Sequence, residues 1–529
     1  MFEVLSTPII VGLFAIWFCF LLLSYKGQPN GLWTLALANT GERFGYYTML
    51  AVFVLFLHDN FGFDSDWASE TFSNFLFVVY LLPLFGGMLA DKYGYSKMVV
   101  LGILVMFVGY LILSIPLGGS NPALVTMVAG LLMVSLGTGL FKGNLQVMVG
   151  DLYNDPQYAN KRDAGFSLFY MAINIGALFA PTAAVRIMEW SQQNLGTSVN
   201  DSYHFAFAIA CASLILSIAI YYAFRGTFRH VEGGKGKADK AQAASNEPEL
   251  TKEETTQRVV ALCLVFAVVI FFWMAFHQNG LSLTYFADEF TAKSATGADT
   301  MPFDVINLVM IIFIVYAGFS LFQSKTPKGK GISAAIILVA LGILCYKYTQ
   351  ATGEVAISAP IFQQFNPFYV VALTPVSMAI FASLASKGKE PTPPRKIAYG
   401  MLVAASAFIV MMLASQGLMT PNEQKAAGDA ATFVSPYWLI STYLILTFGE
   451  LLLSPMGISF VSKVAPPKLK GLMMGGWFVS TAIGNKLVGV GGYLWGDIPL
   501  TVVWGVFIAV CVVAALFMFA MMKRLEKVC

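Results

Sequence analysis

Several ionisable residues stand inside long apolar segments of this sequence. Glu42 and Arg43 adjoin in LALANTGERFGYYTML, Lys142 lies in LLMVSLGTGLFKGNLQVMVG, and Glu450 lies in ILTFGELLLSPMGIS. Arg186, His277 and Lys486 share this situation. A charge at the middle of a bilayer costs roughly 2.5–3.5 kcal/mol on insertion scales, so such residues line a water-filled cavity or pair with one another. The set predicts a polar pathway for a charged solute through apolar helices.

The composition identifies the apolar segments as membrane helices. Of 529 residues, 57% are hydrophobic and only 12% are charged, whereas soluble domains contain about 25% charged residues. The apolar runs lack the alternation of barrel strands and are about 20 residues long, the length of a helix that spans a bilayer. The sequence therefore predicts an all-α membrane protein. The net charge of +3 gives no indication of a nucleic-acid partner.

Fifteen apolar runs can be counted, the first at 7–24 and the last at 499–522. Lysine and arginine concentrate in alternate loops, which predicts that these loops face the cytoplasm. The basic positions include Lys92, Lys97, Lys161, Arg162, Lys325, Lys328, Lys387, Lys389, Lys463, Lys523 and Arg524. This pattern places the C-terminus inside and the N-terminus outside.

The runs divide into two similar halves. We expect an extra transmembrane helix within 1–28, a six-helix bundle at 29–225, a polar cytoplasmic linker at 226–257, and a second six-helix bundle at 258–527 with an inserted helical hairpin at about 303–349. Two six-helix bundles joined by a cytoplasmic loop are typical of the major facilitator fold. The loop sequence GGMLADKYGYSK is similar to a motif of that superfamily. The fold prediction is thus two such bundles with about three extra transmembrane helices.

The internal charges also lead to expectations about pairing. Neighbouring residues on a helix point about 100° apart, so Glu42 and Arg43 are each expected to find a partner elsewhere. Lys142 in the first half and Glu450 in the second are expected to form an ion pair across the cavity. The alternative is a buried structural pair that binds no solute.

The sequence contains no pattern typical of an enzyme or a metal site. HExxH motifs, nucleophile elbows and clustered histidine ligands are missing, and the six cysteines show no metal-binding spacing. We therefore expect neither catalysis nor a cofactor.

Motifs along most of the chain resemble those of the proton-dependent oligopeptide transporter (POT) family. They are NTGERFGYYT, GTGLFKGNLQVMVGDLY, FYMAINIGAL, FFWMAFHQNG, GELLLSPMGIS and GLMMGGWFVSTAIGN, and they occur in the same order as in the family. The resemblance does not cover the first apolar run or the region from about 292 to 365.

This resemblance implies a cavity that holds a di- or tripeptide between charged groups. The charges themselves agree, because a zwitterion fits between a cationic and an anionic wall. The implied binding residues are Arg43, Tyr47 and Lys142 for the carboxylate, Asn174 and Glu450 for the amino group, and Tyr80, Trp273 and Trp477 for the side-chain pockets.

The sequence departs from the family pattern at four positions. Asn39 replaces a glutamate that is usually tied to proton coupling, and Leu50 and His277 replace an Arg–Glu pair of the outer gate. Lys486 is an additional cation, interpreted either as a second anion-binding group or as a counter-charge for Glu450 or the cavity.

Proton coupling is nevertheless expected, through Glu42, His277 and Glu450. Histidine has an unperturbed pKa near physiological pH, which suits a proton relay. The other interpretation of His277 is a neutral, hydrogen-bonded residue of the core.

The predicted function is secondary active import of di- or tripeptides, coupled to protons, by alternating access in a monomer. Its partners would be a small peptide, protons and the lipid bilayer. The alternative is transport of another anionic or zwitterionic cargo, such as a modified peptide, a peptidoglycan fragment or an organic acid, with altered coupling.

Overall fold

The computed structural model describes residues 27–232, 250–466 and 469–528. The predicted helix at 7–24 lies outside the described residues, as does most of the predicted linker. The rest is almost entirely helical, so the prediction of an all-α membrane protein is confirmed.

The first half contains six long helices in an order that matches the predicted spans. They are α1 (Asn30–Phe61), α2 (Ser65–Tyr93), α3 (Tyr95–Leu113), α4 (Asn121–Asp151), α5 (Arg162–Leu195) and α6 (Val199–Ala223). α1 packs against α5 and α6, while α4 packs against α2 and α3.

The second half repeats the pattern with an insertion. Its helices are α7 (Lys252–Phe276), α8 (Ser282–Glu289), α9 (Val305–Gln323), α10 (Pro327–Gln350), α11 (Phe365–Ser386), α12 (Pro393–Ala414), α13 (Pro421–Ala426), α14 (Tyr437–Val464), α15 (Lys470–Leu487), α16 (Val490–Tyr493) and α17 (Leu500–Glu526). The short helices α8, α13 and α16 extend or connect the long ones.

Helices α9 and α10 form a hairpin at the side of the second bundle. They pack mainly against each other, and α9 also touches α11. Two short antiparallel strands, β1 (Ser294–Thr296) and β2 (Glu354–Ala356), join the segments that lead into and out of the hairpin. The outermost helix, α10, buries only Ser333 and Ala340, so most of its surface is available to lipid.

Twelve helical segments in the described part of the chain are long and apolar enough to cross a membrane. α1 and α15 fall below that threshold, yet both lie among spanning helices: α1 contacts α5 and α6, and α15 contacts α2 and α7. α1 contains the adjacent Glu42 and Arg43, which explains its lower hydropathy. Together these fourteen helices make two six-helix bundles plus the hairpin.

Local sequence signals determine where several helices begin. Asp64 caps α2 by accepting a hydrogen bond from the backbone N–H of Trp67 at 2.9 Å. Thr251 and Glu254 form a reciprocal capping box at the start of α7. Such caps satisfy backbone donors that the first turn of a helix leaves free.

The helix that contains His277 is interrupted at that residue. α7 ends at Phe276, and His277–Gly280 form a single 3₁₀ turn before α8 begins at Ser282. The side chain of Gln278 stabilises the break, because its amide donates to the carbonyl of Val488 at 2.9 Å. The turn thereby fixes the imidazole of His277 at a helix end rather than along a helix face.

Among the described residues, several hydrogen bonds between the two halves lie at one end of the molecule. Ser65 donates to the carbonyl of Trp495 at 2.8 Å, and Thr182 donates to Gln364 at 2.9 Å. Ser69 lies 3.3 Å from the hydroxyl of Tyr285. This end, which also contains the loops at 62–64 and 488–499, is therefore closed; we call it the closed end.

Candidate functional site

Glu42 and Arg43 form a buried ion pair with each other. The Nε and Nη2 atoms of Arg43 each donate to one carboxylate oxygen of Glu42 at 2.5 Å, and the side chains are only 3% and 0% exposed. The expectation that each residue finds a partner elsewhere is therefore wrong. The 100° between adjacent positions is bridged by the length of the arginine side chain, and a bidentate pair satisfies both groups in a dry bundle.

This pair makes a testable prediction for stability. Glu42→Gln leaves the buried guanidinium without a counter-charge, so we expect a loss of roughly 3–5 kcal/mol in the free energy of unfolding. Thermal unfolding of the purified protein in detergent measures the loss. The matched control is Glu232→Gln, which breaks the pair with the more exposed Arg225 and should cost much less, because solvent screens that pair. Equal stability of both variants would contradict the assignment.

Lys142 lies over an aromatic ring instead of against a carboxylate. Its ammonium stands 4.0 Å from the ring centroid of Tyr80, within the range of a cation–π contact. It forms no ion pair with any residue that the structure describes, including Glu450. The predicted pair across the cavity is therefore not present in this conformation.

Glu450 is held by neutral donors. Asn366 on α11 donates to one carboxylate oxygen at 3.0 Å, and the hydroxyl of Tyr170 on α5 donates to the other at 3.4 Å. The Tyr170 contact joins the two bundles. Neither donor brings a positive charge, so a cationic group of a ligand would meet no competing cation among these contacts.

Two tyrosines connect the anionic and the cationic groups. Tyr47 lies within Coulombic range of Arg43 and Glu450, and so does Tyr80. Lys142 in turn lies within Coulombic range of the Glu42–Arg43 pair. The structure therefore brings charged residues of both halves together, and we call this set the charge cluster: Glu42, Arg43, Lys142 and Glu450 with Tyr47 and Tyr80.

Aromatic side chains from the second half extend this cluster. Trp273 stacks on His277 with ring centroids 5.0 Å apart, and His277 lies 6.1 Å from the ring of Tyr80. The indole N–H of Trp273 is buried with no partner among the described residues. An unsatisfied buried donor is costly unless a ligand or water accepts from it.

Trp477 and Asn174 occupy supporting positions. The indole of Trp477 is buried over Gly457 on α14, where a Cβ would lie 1.9 Å from the ring, so only glycine fits there. Asn174 donates to the carbonyl of Tyr170 at 3.1 Å, one helical turn before it. Asn174 therefore lies one turn along α5 from Tyr170, the tyrosine that donates to Glu450.

His277 has a specific polar partner. Its Nδ1 lies 2.6 Å from Oδ1 of Asn485 on α15, whose Nδ2 is buried with no partner among the described residues. At this distance the histidine donates and the amide oxygen accepts. His277 is thus oriented by the second bundle and not by a carboxylate.

Two of the predicted internal charges lie outside the charge cluster. Arg186 is 75% exposed and pairs with Glu189 on its own helix at 3.3 Å. Lys486 binds the carboxylate of Glu70 on α2 and not that of Glu450, and its interpretation as an anion-binding group stays a prediction. The sequence does not reveal either pairing.

Leu50 and Asn39 are the other two positions at which the sequence departs from the family pattern. Leu50 packs against the hydrophobic core of the first bundle. Asn39 is 4% exposed, and its Nδ2 has no hydrogen-bond partner in the part of the chain that the structure describes.

An apolar cavity of about 940 Å³ lies away from the charge cluster. It separates α5 from α9 and α11, and its walls include Ile175, Phe179, Val309, Phe313, Val371 and Met378. Arg186 also lines this cavity, but Lys142 and Glu450 are not among its lining residues.

Comparison with known proteins agrees with this architecture. The model of the POT family matches residues 96–246 and 347–498. The chain is 28% identical over 485 residues to dipeptide and tripeptide permease B of Salmonella typhimurium, covering 88% of this chain and 86% of that protein. It is also 28% identical over 497 residues to the peptide transporter YePEPT of Yersinia enterocolitica, covering 90% and 89%.

The fold is also that of a solved transporter. A crystal structure of a mutant peptide transporter POT in complex with alafosfalin superimposes with a TM-score of 0.71 at 24% identity, covering 94% of this chain and 96% of the other. That likeness confirms the major facilitator fold. Because the family model matches more than half of the chain, this protein belongs to the POT family of membrane transporters.

Proposed function

We propose that this protein imports di- and tripeptides by alternating access, driven by protons. The proposal rests on which partners the charged side chains of the charge cluster have. Among the residues that the structure describes, Lys142 has no carboxylate partner, and Glu450 accepts hydrogen bonds from Asn366 and Tyr170 alone. A peptide zwitterion supplies the charges that both of these groups lack.

The Glu42–Arg43 pair determines which cation the peptide meets. Arg43 is already neutralised by a bidentate contact, so Lys142 is the stronger attractor for a free carboxylate. Arg43 and Tyr47 would complete the carboxylate site by hydrogen bonding. Glu450 and Asn174 would receive the amino group, and Tyr80, Trp273 and Trp477 would enclose the side chains. The names of the Salmonella and Yersinia relatives support this cargo.

The orientation of the molecule follows from its basic residues. The closed end is opposite to the loops in which lysine and arginine concentrate, and these loops face the cytoplasm by the positive-inside rule. In our proposal the structure is therefore closed toward the outside of a bacterial inner membrane, with the C-terminus in the cytoplasm. The bundles at 29–225 and 258–527 would rock about the charge cluster to release the peptide inward, within one monomer.

Proton coupling would involve Glu42, His277 and Glu450. His277 stands between Tyr80 and Asn485, close to the charge cluster, and can exchange its proton without losing that position. Glu450 would bind either a proton or the peptide ammonium. Glu42 would release Arg43 when protonated.

The role of His277 is tested by comparing uptake driven by a pH gradient with peptide counterflow in the absence of a gradient. In His277→Gln we expect uptake driven by a pH gradient to fall about tenfold, since the amide cannot take up a proton, while peptide counterflow without a gradient changes by less than about twofold. Uptake into proteoliposomes measures both. The control is His230→Gln, which alters an exposed histidine on the cytoplasmic side. Unchanged gradient-driven uptake in His277→Gln would remove His277 from the relay.

Another anionic or zwitterionic cargo is the second candidate. A histidine in place of a glutamate at His277, together with a Lys142 that has no carboxylate partner in the described part of the chain, makes the cavity more positive. Lys486 does not add to this, because Glu70 neutralises it. Uptake of labelled dialanine is measured in competition with unlabelled dialanine or with an unlabelled peptide that has an acidic side chain. Stronger inhibition by unlabelled dialanine supports ordinary peptides as the cargo.

A further inference from the structure

We infer that Glu70, Lys486 and Tyr493 form an electrostatic latch that holds the closed end shut. This inference rests on the proposed alternating-access function. It assigns a gating role to three residues outside the charge cluster, two of which stand on the opposite half from the third.

The contacts of the latch join the two bundles directly. The ammonium of Lys486 on α15 donates to Glu70 on α2, and it also donates to Oδ1 of Asn74 at 2.7 Å. The hydroxyl of Tyr493 on α16 donates to the second oxygen of the same carboxylate at 2.5 Å. Within α2, the amide of Asn74 donates to Glu70 at 3.0 Å. One carboxylate therefore binds two groups from the opposite bundle.

The latch lies beside a seam where the bundles touch closely. A Cβ at Gly492 would lie 1.6 Å from the hydroxyl of Ser69, and one at Gly489 would lie 2.9 Å from that of Ser73. Glu70 stands between these two serines in the sequence of α2. Opening the closed end must separate α2 from α15 and α16, and this separation breaks every contact that Glu70 makes with the second bundle.

Leu50 and His277, which stand in place of the Arg–Glu pair of the outer gate, do not hold the two bundles together. Leu50 packs in the apolar core, and His277 turns to Asn485 within its own half. Neither residue makes a charged contact between the bundles. Among the described residues, Glu70–Lys486 is the ion pair that connects the first bundle to the second.

The latch is suited to gating because it is accessible. Lys486 is 37% exposed and Glu70 is 34% exposed, so water can solvate both charges when they part. A partly solvated pair contributes modestly to stability, which allows the closed end to open during each cycle. A fully buried pair would impose a larger penalty on separation.

Hydrogen–deuterium exchange of the full chain in nanodiscs tests the latch without any substrate. In Glu70→Gln and in Lys486→Met we expect peptides covering 62–73 and 488–495 to exchange at least about threefold faster than in the unmodified protein. The matched control is Glu189→Gln, which breaks an ion pair within one helix of the first half and should leave both peptides unchanged. Exchange in the latch variants equal to that of this control would overturn the proposal.

A charge exchange provides the second arm. Glu70→Lys and Lys486→Glu each place two like charges together, so either single variant should open the closed end. The double variant restores opposite charges, and its exchange should return at least halfway to that of the unmodified protein. A double variant as open as the singles would also overturn the latch. Since the readout is exchange and not uptake, an error in the proposed cargo would not affect it.

Discussion

Lys142→Ala is expected to lower peptide uptake by about 100-fold while the protein still folds. Truncating one partner of a buried, hydrogen-bonded charge pair costs roughly 2–5 kcal/mol in binding, and 1.4 kcal/mol corresponds to a factor of ten. Lys142 makes no ion pair with any described residue, so its removal leaves no carboxylate unpaired. Initial uptake of labelled dialanine into proteoliposomes measures the loss.

The matched control is another lysine, on the inserted hairpin. Lys347 pairs with Asp304 away from the charge cluster, and Lys347→Ala should keep uptake within about twofold of the unmodified protein. Thermal unfolding of both variants establishes that they are folded. A stable Lys142→Ala protein with normal uptake would show that this cation does not bind the peptide carboxylate.

The second large effect is expected at Glu450 and depends on the ligand. Glutamine keeps one oxygen that can accept from Asn366, and its amide nitrogen can donate to the hydroxyl oxygen of Tyr170, so Glu450→Gln removes mainly the negative charge. We expect dialanine to bind about 100-fold more weakly. N-acetyl-dialanine has no ammonium group, and its affinity should change by less than about threefold. Competition against labelled dialanine in the unmodified protein, and calorimetric titration in the variant, measure the two affinities.

The comparison of the two ligands separates recognition of the amino group from general damage to the site. Equal weakening of both ligands would indicate a distorted cavity, and no weakening of either would remove Glu450 from the binding site. Glu354→Gln serves as the control, because that carboxylate lies exposed on β2 and should affect neither affinity.

The sequence predicts the helices well because the bilayer imposes a single requirement. A spanning segment must satisfy its own backbone hydrogen bonds and present about 20 apolar residues, and both features can be read from one chain. The two bundles follow from the same counting. The hairpin at α9 and α10 is visible as an apolar pair around SKTPKGKG.

The sequence predicts which charged residues come together better than it predicts which side chains contact each other. The cost of burying charge singles out Arg43, Lys142 and Glu450, and the structure places them in one cluster. The partner of each charge depends on side-chain reach and on helix rotation, which periodicity does not specify. For this reason Glu42 was expected to face away from Arg43, although the two form a bidentate pair.

Two residues of the proposed site and latch, Asn366 and Glu70, are not identified by the sequence interpretation. Asn366 stands at the start of α11, where an uncharged polar residue gives no signal of a buried ligand. Glu70 lies near the start of α2, where a carboxylate is ordinarily a solvated group that favours helix initiation. The additional cation Lys486 is interpreted through Glu450, the cavity or a bound anion, and not through a carboxylate of α2.

Accumulation of labelled dialanine by the unmodified protein, reconstituted into liposomes with an imposed pH gradient, tests the central claim most directly. With the lumen one pH unit more alkaline than the medium, coupling to one proton allows about tenfold accumulation of the peptide. We predict that the lumenal concentration rises above that of the medium and returns to it when a protonophore is added. Equilibration without accumulation, or no entry of the peptide at all, would contradict proton-driven peptide import.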